Sequence, residues 1–179
     1  MAVHPIERPT EAEFAEFYSG YVSEVTEADV LELLEGQLAE IQTLAAAVPA
    51  ERETFRYAPG KWSIREVVGH LADGERVFGY RAFCISRAER TPLPGFDEGQ
   101  YVIESGSDRR ALADLVGEFS ALRRINLILF RSLEAPAWRR IGNANGSLVS
   151  VRALAYIMAG HVRHHFGVLR SRYNIQAQA

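Results

Sequence analysis

VRALAYIMAGHVRHHFGVLRSRY, residues 151–173, reads as one long amphipathic helix. On a wheel of 100° per residue, Val151, Leu154, Ala155, Met158, Val162 and Leu169 cluster in one direction, and Arg152, Arg163 and Arg170 point the other way. On that ideal wheel His165 lies about 30° from the centre of the apolar face, His161 about 70° and His164 about 130°. His161 and His165, one turn apart, therefore face inward as a stacked pair, while His164 leans outward. Two imidazoles at i and i+4 are close enough to share a metal ion. A helix with one apolar face needs partners to cover it, and the chain upstream supplies three.

The first partner is expected from about Thr26 to Val48, with Leu31, Leu34, Leu38, Ile41, Ala45 and Val48 at helical spacing, Thr26 as N-cap and Pro49 past the end. The second starts after Pro59-Gly60, where Ser63 and Glu66 form a capping box, and runs to about Arg90 on the stripe Ile64, Val67, Leu71, Phe78, Ala82, Ile85. The third is expected from about Ser107 to Leu133, with Leu112, Leu115, Phe119, Leu122, Leu129 and Leu133 inward and Pro136 beyond it. Residues 91–106 read as a long crossover loop, and Asn145-Gly146 between β-prone runs marks a small hairpin before the last helix. Thr10 and Glu13 are spaced as a capping box in a short N-terminal helix, and the tail NIQAQA is expected to fray. The fold class is thus all-α: a four-helix bundle over residues 26–179, with residues 1–25 as an N-terminal extension packing on it.

Composition narrows the function. A formal charge of −3 and a pI near 6.0 exclude a general nucleic-acid binder, and the pairs Arg123-Arg124 and Arg139-Arg140 read as solvated helix faces. No stretch reaches the roughly 18 uncharged apolar residues of a membrane span, and the N-terminus lacks a basic segment followed by an apolar run. The single cysteine, Cys84, permits no intramolecular disulfide and reads as core filler; a reducing cytoplasm is the expected compartment.

On the second helix His70 flanks the apolar stripe, within reach of a neighbouring helix. Three neutral rings are hard to satisfy by hydrogen bonds among themselves, because each brings one donor and one acceptor, whereas a metal accepts a lone pair from every one. Three protein ligands leave a position open for water or substrate, as catalytic sites require. Around this triad stand weaker candidates. Asn126 lies on the apolar face of the third helix, as a catalytic group or as an amide tied to a backbone partner. Asp73, one turn after His70, is a candidate for the other ring N–H of His70. Asp97 and Tyr101 on the long loop are candidates to border the open position. Lys61, Trp62 and Ser63 are explained by capping and packing at a helix entrance.

The segments GKWSIREVVGHLADGE (60–75), LPGFDEGQYV (93–102) and VRALAYIMAGHVRHHFGVLRSRY (151–173) resemble the DinB-like superfamily, in the branch of the YfiT-type metal-dependent hydrolases and thiol S-transferases. The resemblance spans roughly residues 26–173. It implies an up-down-down-up four-helix bundle, commonly a homodimer, with a divalent metal held by His70, His161 and His165. Zinc or nickel are the foremost ions it implies, with iron, manganese and cobalt also compatible. It further implies a small-molecule substrate and, for some members, a low-molecular-weight thiol. The expected function is activation of water or such a thiol for transfer or hydrolysis; the alternative is a non-catalytic metal-binding or stress-associated bundle. The resemblance does not fix the reaction, since one fold hosts many chemistries.

Overall fold

The computed structural model describes residues 6–176. Its helices are α1 (Ser19–Glu24), α2 (Val30–Ala46), α3 (Ile64–Ser86), α4 (Glu98–Ser105), α5 (Leu112–Arg131), α6 (Ala135–Trp138) and α7 (Val151–Ser171), with a two-stranded hairpin of β1 (Ile141–Ala144) and β2 (Ser147–Ser150) ahead of α7. Helices α2, α3, α5 and α7 form the bundle.

Side-chain contacts give the directions. Gly69 sits beside Leu115, Glu75 pairs with Arg123 and Gly79 abuts Asn126, so α3 and α5 run parallel. Gln37 reaches Ala159 and Glu40 reaches Arg170, so α2 and α7 are parallel too. Leu34 and Gln37 both meet Arg123, and Arg131 meets Glu35 near the start of α2, which sets α2 antiparallel to α5. The topology is up-down-down-up. Parallel neighbours need a long return, and residues 87–111 provide it.

Local chemistry fixes the boundaries. The expected cap of α2 at Thr26 is corrected to Asp29, whose carboxylate accepts from the Leu31 and Glu32 amides. The capping boxes Ser63/Glu66 and Thr10/Glu13 are both formed, the second on a 3-10 turn. Helix α3 ends at Ser86 rather than Arg90, because Ala88 takes a left-handed φ of 62°. The crossover is not all loop: Asp97 caps α4, which Gly106 closes in the left-handed region. The hairpin turns through Asn145 and Gly146 at φ 53° and 75°, both positive as a type I′ turn demands, and Leu93 lies against its edge at Ala144. The tail folds back instead of fraying at once, since Ile175 is buried and its amide donates to the Leu169 carbonyl; residues 177–179 lie outside the described residues. Cys84 is buried.

The core is divided. One apolar cluster holds Leu34, Phe78, Phe130 and Leu154 with the α1 and hairpin residues, and a second holds Ile41, Leu71, Phe119 and Phe166. Between them runs a polar waist. Arg123, 0% exposed, makes two bonds to the Glu75 carboxylate at 2.7 and 2.9 Å and donates to the Leu34 carbonyl and the Gln37 amide oxygen. Gln37 in turn donates to the Ala159 carbonyl at 2.8 Å, so one network joins all four bundle helices. The reading of Arg123 as a solvated charge is therefore wrong, while Arg124 is exposed. The inward stripe of α5 is correspondingly rotated: Phe119, Arg123, Asn126 and Phe130 are buried, and Leu122, Leu129 and Leu133 only partly.

Candidate metal centre

Helix α3 brings His70, and α7 brings His161 and His165, to the same level of the bundle. The Nε2 atoms of His70 and His161 stand 2.8 Å apart, and one nitrogen from each of the three rings lies within 4.8 Å of the others. Ring centroids are 4.7 Å apart for His161–His165 and 4.8 Å for His70 with either partner. His70 and His161 are buried; His165 keeps some exposure and forms the outer edge. His164 points to solvent, 3.9 Å from Glu24.

The sequence places these rings by local means. Ser63 caps α3 and also donates to Asp108 at 2.5 Å, and Arg56 clamps Glu66 and Asp108 together, which seats the first turn of α3. Gly74, one turn past His70, leaves room for the His161 ring. A Cβ there would stand 3.0 Å from its Cε1. On the other side of α7, Gly160 lets the backbone of α1 approach so closely that a methyl group would collide with the Tyr21 carbonyl. That contact sets the Tyr21 ring edge-on to His161, with centroids 5.5 Å apart.

The surroundings are aromatic. Trp62 packs on His70 at 4.7 Å and stacks on His165 at 6.4 Å, its carbonyl held by the Tyr173 hydroxyl at 2.5 Å. Phe78 closes the far side of His161 at 5.8 Å. Burial in this apolar setting pushes His70 down to about 4 and His165 down to about 3, and it lowers His161 well below the usual histidine range. All three rings are neutral at pH 7, the protonation state a metal requires of them.

The donor set fits a divalent ion. Two donors on a tetrahedral zinc are about 3.3 Å apart, and the separations here, from 2.8 Å to within 4.8 Å, bracket that span. A hydrogen bond between His70 and His161 would satisfy one lone pair and leave His165 without a partner; an ion takes all three. Imidazole donors suit zinc, copper, iron and nickel alike.

The other expected residues are placed as follows. Asn126 donates to the Glu75 carbonyl and carboxylate at 3.1 and 3.0 Å, in the polar waist. Asp73 is half-buried, with burial raising its carboxyl above the ordinary value, and its described partner is Arg76 at 3.5 Å rather than His70. Asp97 accepts from the Gln100 amide as the cap of α4, and Tyr101 lies exposed against Phe96 at 5.4 Å. Sequence reasoning missed Tyr21 and Phe78 as walls of the centre and gave Trp62 only a packing role. The aromatic run FYSGY (17–21) and the tryptophan beside a helix cap were the available signals.

A model of the DinB superfamily matches residues 33–169. Among solved structures, YfiT from Bacillus subtilis, described as a probable metal-dependent hydrolase with an unusual four-helix bundle topology, superposes with a TM-score of 0.70 at 18% identity over 95% of each chain. A mycothiol-dependent maleylpyruvate isomerase superposes with a TM-score of 0.67 at 15% identity, covering 88% of this chain and 64% of that one. At such identities the likeness is one of fold. No curated protein sequence matches the chain. Among the described residues no helix is long and apolar enough to cross a membrane.

Proposed function

The chain belongs to the DinB superfamily, and from that membership and the convergence of its histidines we propose that it is a divalent-metal-dependent enzyme acting on a small molecule. His70, His161 and His165 are the ligands in this reading. The observation that carries it is the meeting of three buried, neutral ring nitrogens within 4.8 Å. A bound ion supplies Lewis acidity, lowering the pKa of a coordinated water or thiol toward neutrality.

The chain's own residues do the rest. Trp62, Tyr21 and Phe78 keep the rings in place and exclude bulk water from all but the His165 side, which is the side a substrate would approach. Exclusion of water strengthens the electrostatic interactions inside the site. Half-buried Asp73, one turn from His70 with a raised affinity for its proton, is the nearest acidic group on α3 to serve in proton exchange. The activated group is a water or a low-molecular-weight thiol, with transfer or hydrolysis as the outcome; the mycothiol-dependent fold neighbour favours the thiol.

Elemental analysis of protein purified without chelator or nickel resin tests the reading. One divalent ion per chain in the wild type, lost in His161→Ala, is expected. Stoichiometric metal retained by that variant would remove the triad from consideration.

A further inference from the structure

Among the described residues the polar waist makes one hydrogen bond to α7, and it falls beside the metal ligands. Gln37 of α2 is 1% exposed and donates from Nε2 to the Ala159 carbonyl at 2.8 Å. Its Oε1 accepts from Arg123 at 2.7 Å. A guanidinium can only donate, so it faces the oxygen end of the amide and never the nitrogen end. Arg123 is itself anchored by the Glu75 carboxylate of α3 and the Leu34 carbonyl of α2. The Gln37 amide is thereby locked with its donor aimed at α7.

Three successive residues of α7 are each held by a different element. Ala159 is bonded to Gln37 of α2, Gly160 lies against the Tyr21 carbonyl of α1, and the His161 ring sits beside Gly74 of α3. Glu75, the anchor of Arg123, directly follows Gly74, so the waist begins and ends next to the same ring. Apolar burial is non-directional and tolerates small slips, whereas a hydrogen bond weakens steeply once its length or angle changes. A slip of one residue moves a helical side chain by about 1.5 Å along the axis and about 100° around it. Either displacement would part the His70 and His161 nitrogens, which stand 2.8 Å apart. A buried ion pair is weak grounds for stability, since apolar groups of similar volume often serve as well; its best-attested use is to fix register.

We propose that Gln37 is a positioning residue of the histidine centre: oriented by Arg123, it fixes the register of α7 so that the His161 ring meets His70. That the aligned rings hold a metal rests on the activity proposed above; the alignment itself does not. Gln37 touches none of the three rings and acts through the Ala159 carbonyl, two residues before His161.

The test uses the full-length chain and two measurements. In chelator-treated protein the ring protons of His70 and His161 are expected to show a nuclear Overhauser contact, which Gln37→Met weakens or abolishes. With zinc, competition against a chromophoric chelator is expected to give an affinity about tenfold lower for Gln37→Met than for the wild type, and the cobalt form is expected to show shifted ligand-field bands. Phe130→Leu, which loosens the far apolar cluster around Trp138, controls for a general loss of stability and is expected to leave both readings in place. Gln37→Asn, whose shorter arm cannot span Arg123 and Ala159 together, replaces the first variant if that one does not fold. An intact ring contact in the Gln37 variant, or an equal loss in Phe130→Leu, would overturn the proposal. A wild type that takes up no zinc would remove the metal reading, and the ring contact in chelated protein would still decide the register.

Discussion

Gly74 and His161 fit together without slack: a Cβ on Gly74 would lie 3.0 Å from Cε1 and 3.2 Å from Nδ1 of the histidine ring. One missing methyl group on α3 thus positions a ring supplied 87 residues later. Gly74→Ala is expected to push His161 out of line and weaken metal binding about tenfold to a hundredfold, the range seen when the support of a ligand is disturbed. Overpacking adds about 1–3 kcal/mol of destabilisation. Competition with a chromophoric chelator measures the first effect; unchanged affinity would mean that the ring adapts freely.

The ion pair of Glu75 and Arg123 should dominate stability among polar groups. Arg123→Met leaves the Glu75 carboxylate buried without its partner, for an expected loss of about 3–5 kcal/mol in urea unfolding. Adding Glu75→Gln removes the stranded charge, so the double variant should be more stable than Arg123→Met alone. A double variant as unstable as the sum of the singles would show that the two residues do not act as a pair.

Acid should destabilise the chelated protein in two windows. The three histidines have folded pKa values below the unfolded 6.5, with His70 at about 4 and His165 at about 3, chiefly through burial. Below pH 6.5 the unfolded chain therefore binds more protons, and stability falls as pH drops toward those lower values. Glu13 is held at about 2 by its bonds to Arg152, so its stabilisation is present above its ordinary 4.5 and disappears as pH falls from there through about 2. Glu13→Gln should flatten only the lower window. Unfolding curves from pH 8 to 3 check this, and a loss confined below pH 4.5 would contradict the burial of the histidines.

The two tryptophans report on different ends of the bundle. Trp62 packs on His70 and His165, whereas Trp138 stacks on Phe130 at 5.3 Å in the other apolar cluster. Cobalt or nickel binding should quench Trp62 fluorescence, and Trp62→Phe should abolish that response while Trp138→Phe preserves it. Quenching that persists in Trp62→Phe would place the ion elsewhere.

Much of this was legible in the chain itself. The direction of His161, His165 and His164 follows from helical period alone, and the Ser63/Glu66 box from a four-residue pattern. Asp29 was missed as a cap because Thr26, three residues earlier, offers the same chemistry. Helix α4 was missed because eight residues are too few for periodicity to speak. Arg123 was misread for a deeper reason. Its spacing from Phe119, Asn126 and Phe130 puts it on the buried face, but a buried arginine makes sense only with its carboxylate, and Glu75 lies 48 residues away with no local sign of the pairing. The same distance hid the walls of the centre: Tyr21 reaches His161 only because α1 docks on Gly160.

That docking also orders events during synthesis. Tyr21 is synthesised well before its seat on Gly160; at about 5–20 residues per second the wait between them is about 7–28 s. Until then the Tyr21 ring lacks the α7 face it packs on, while its neighbour Tyr18 already has Phe78 of α3 within reach.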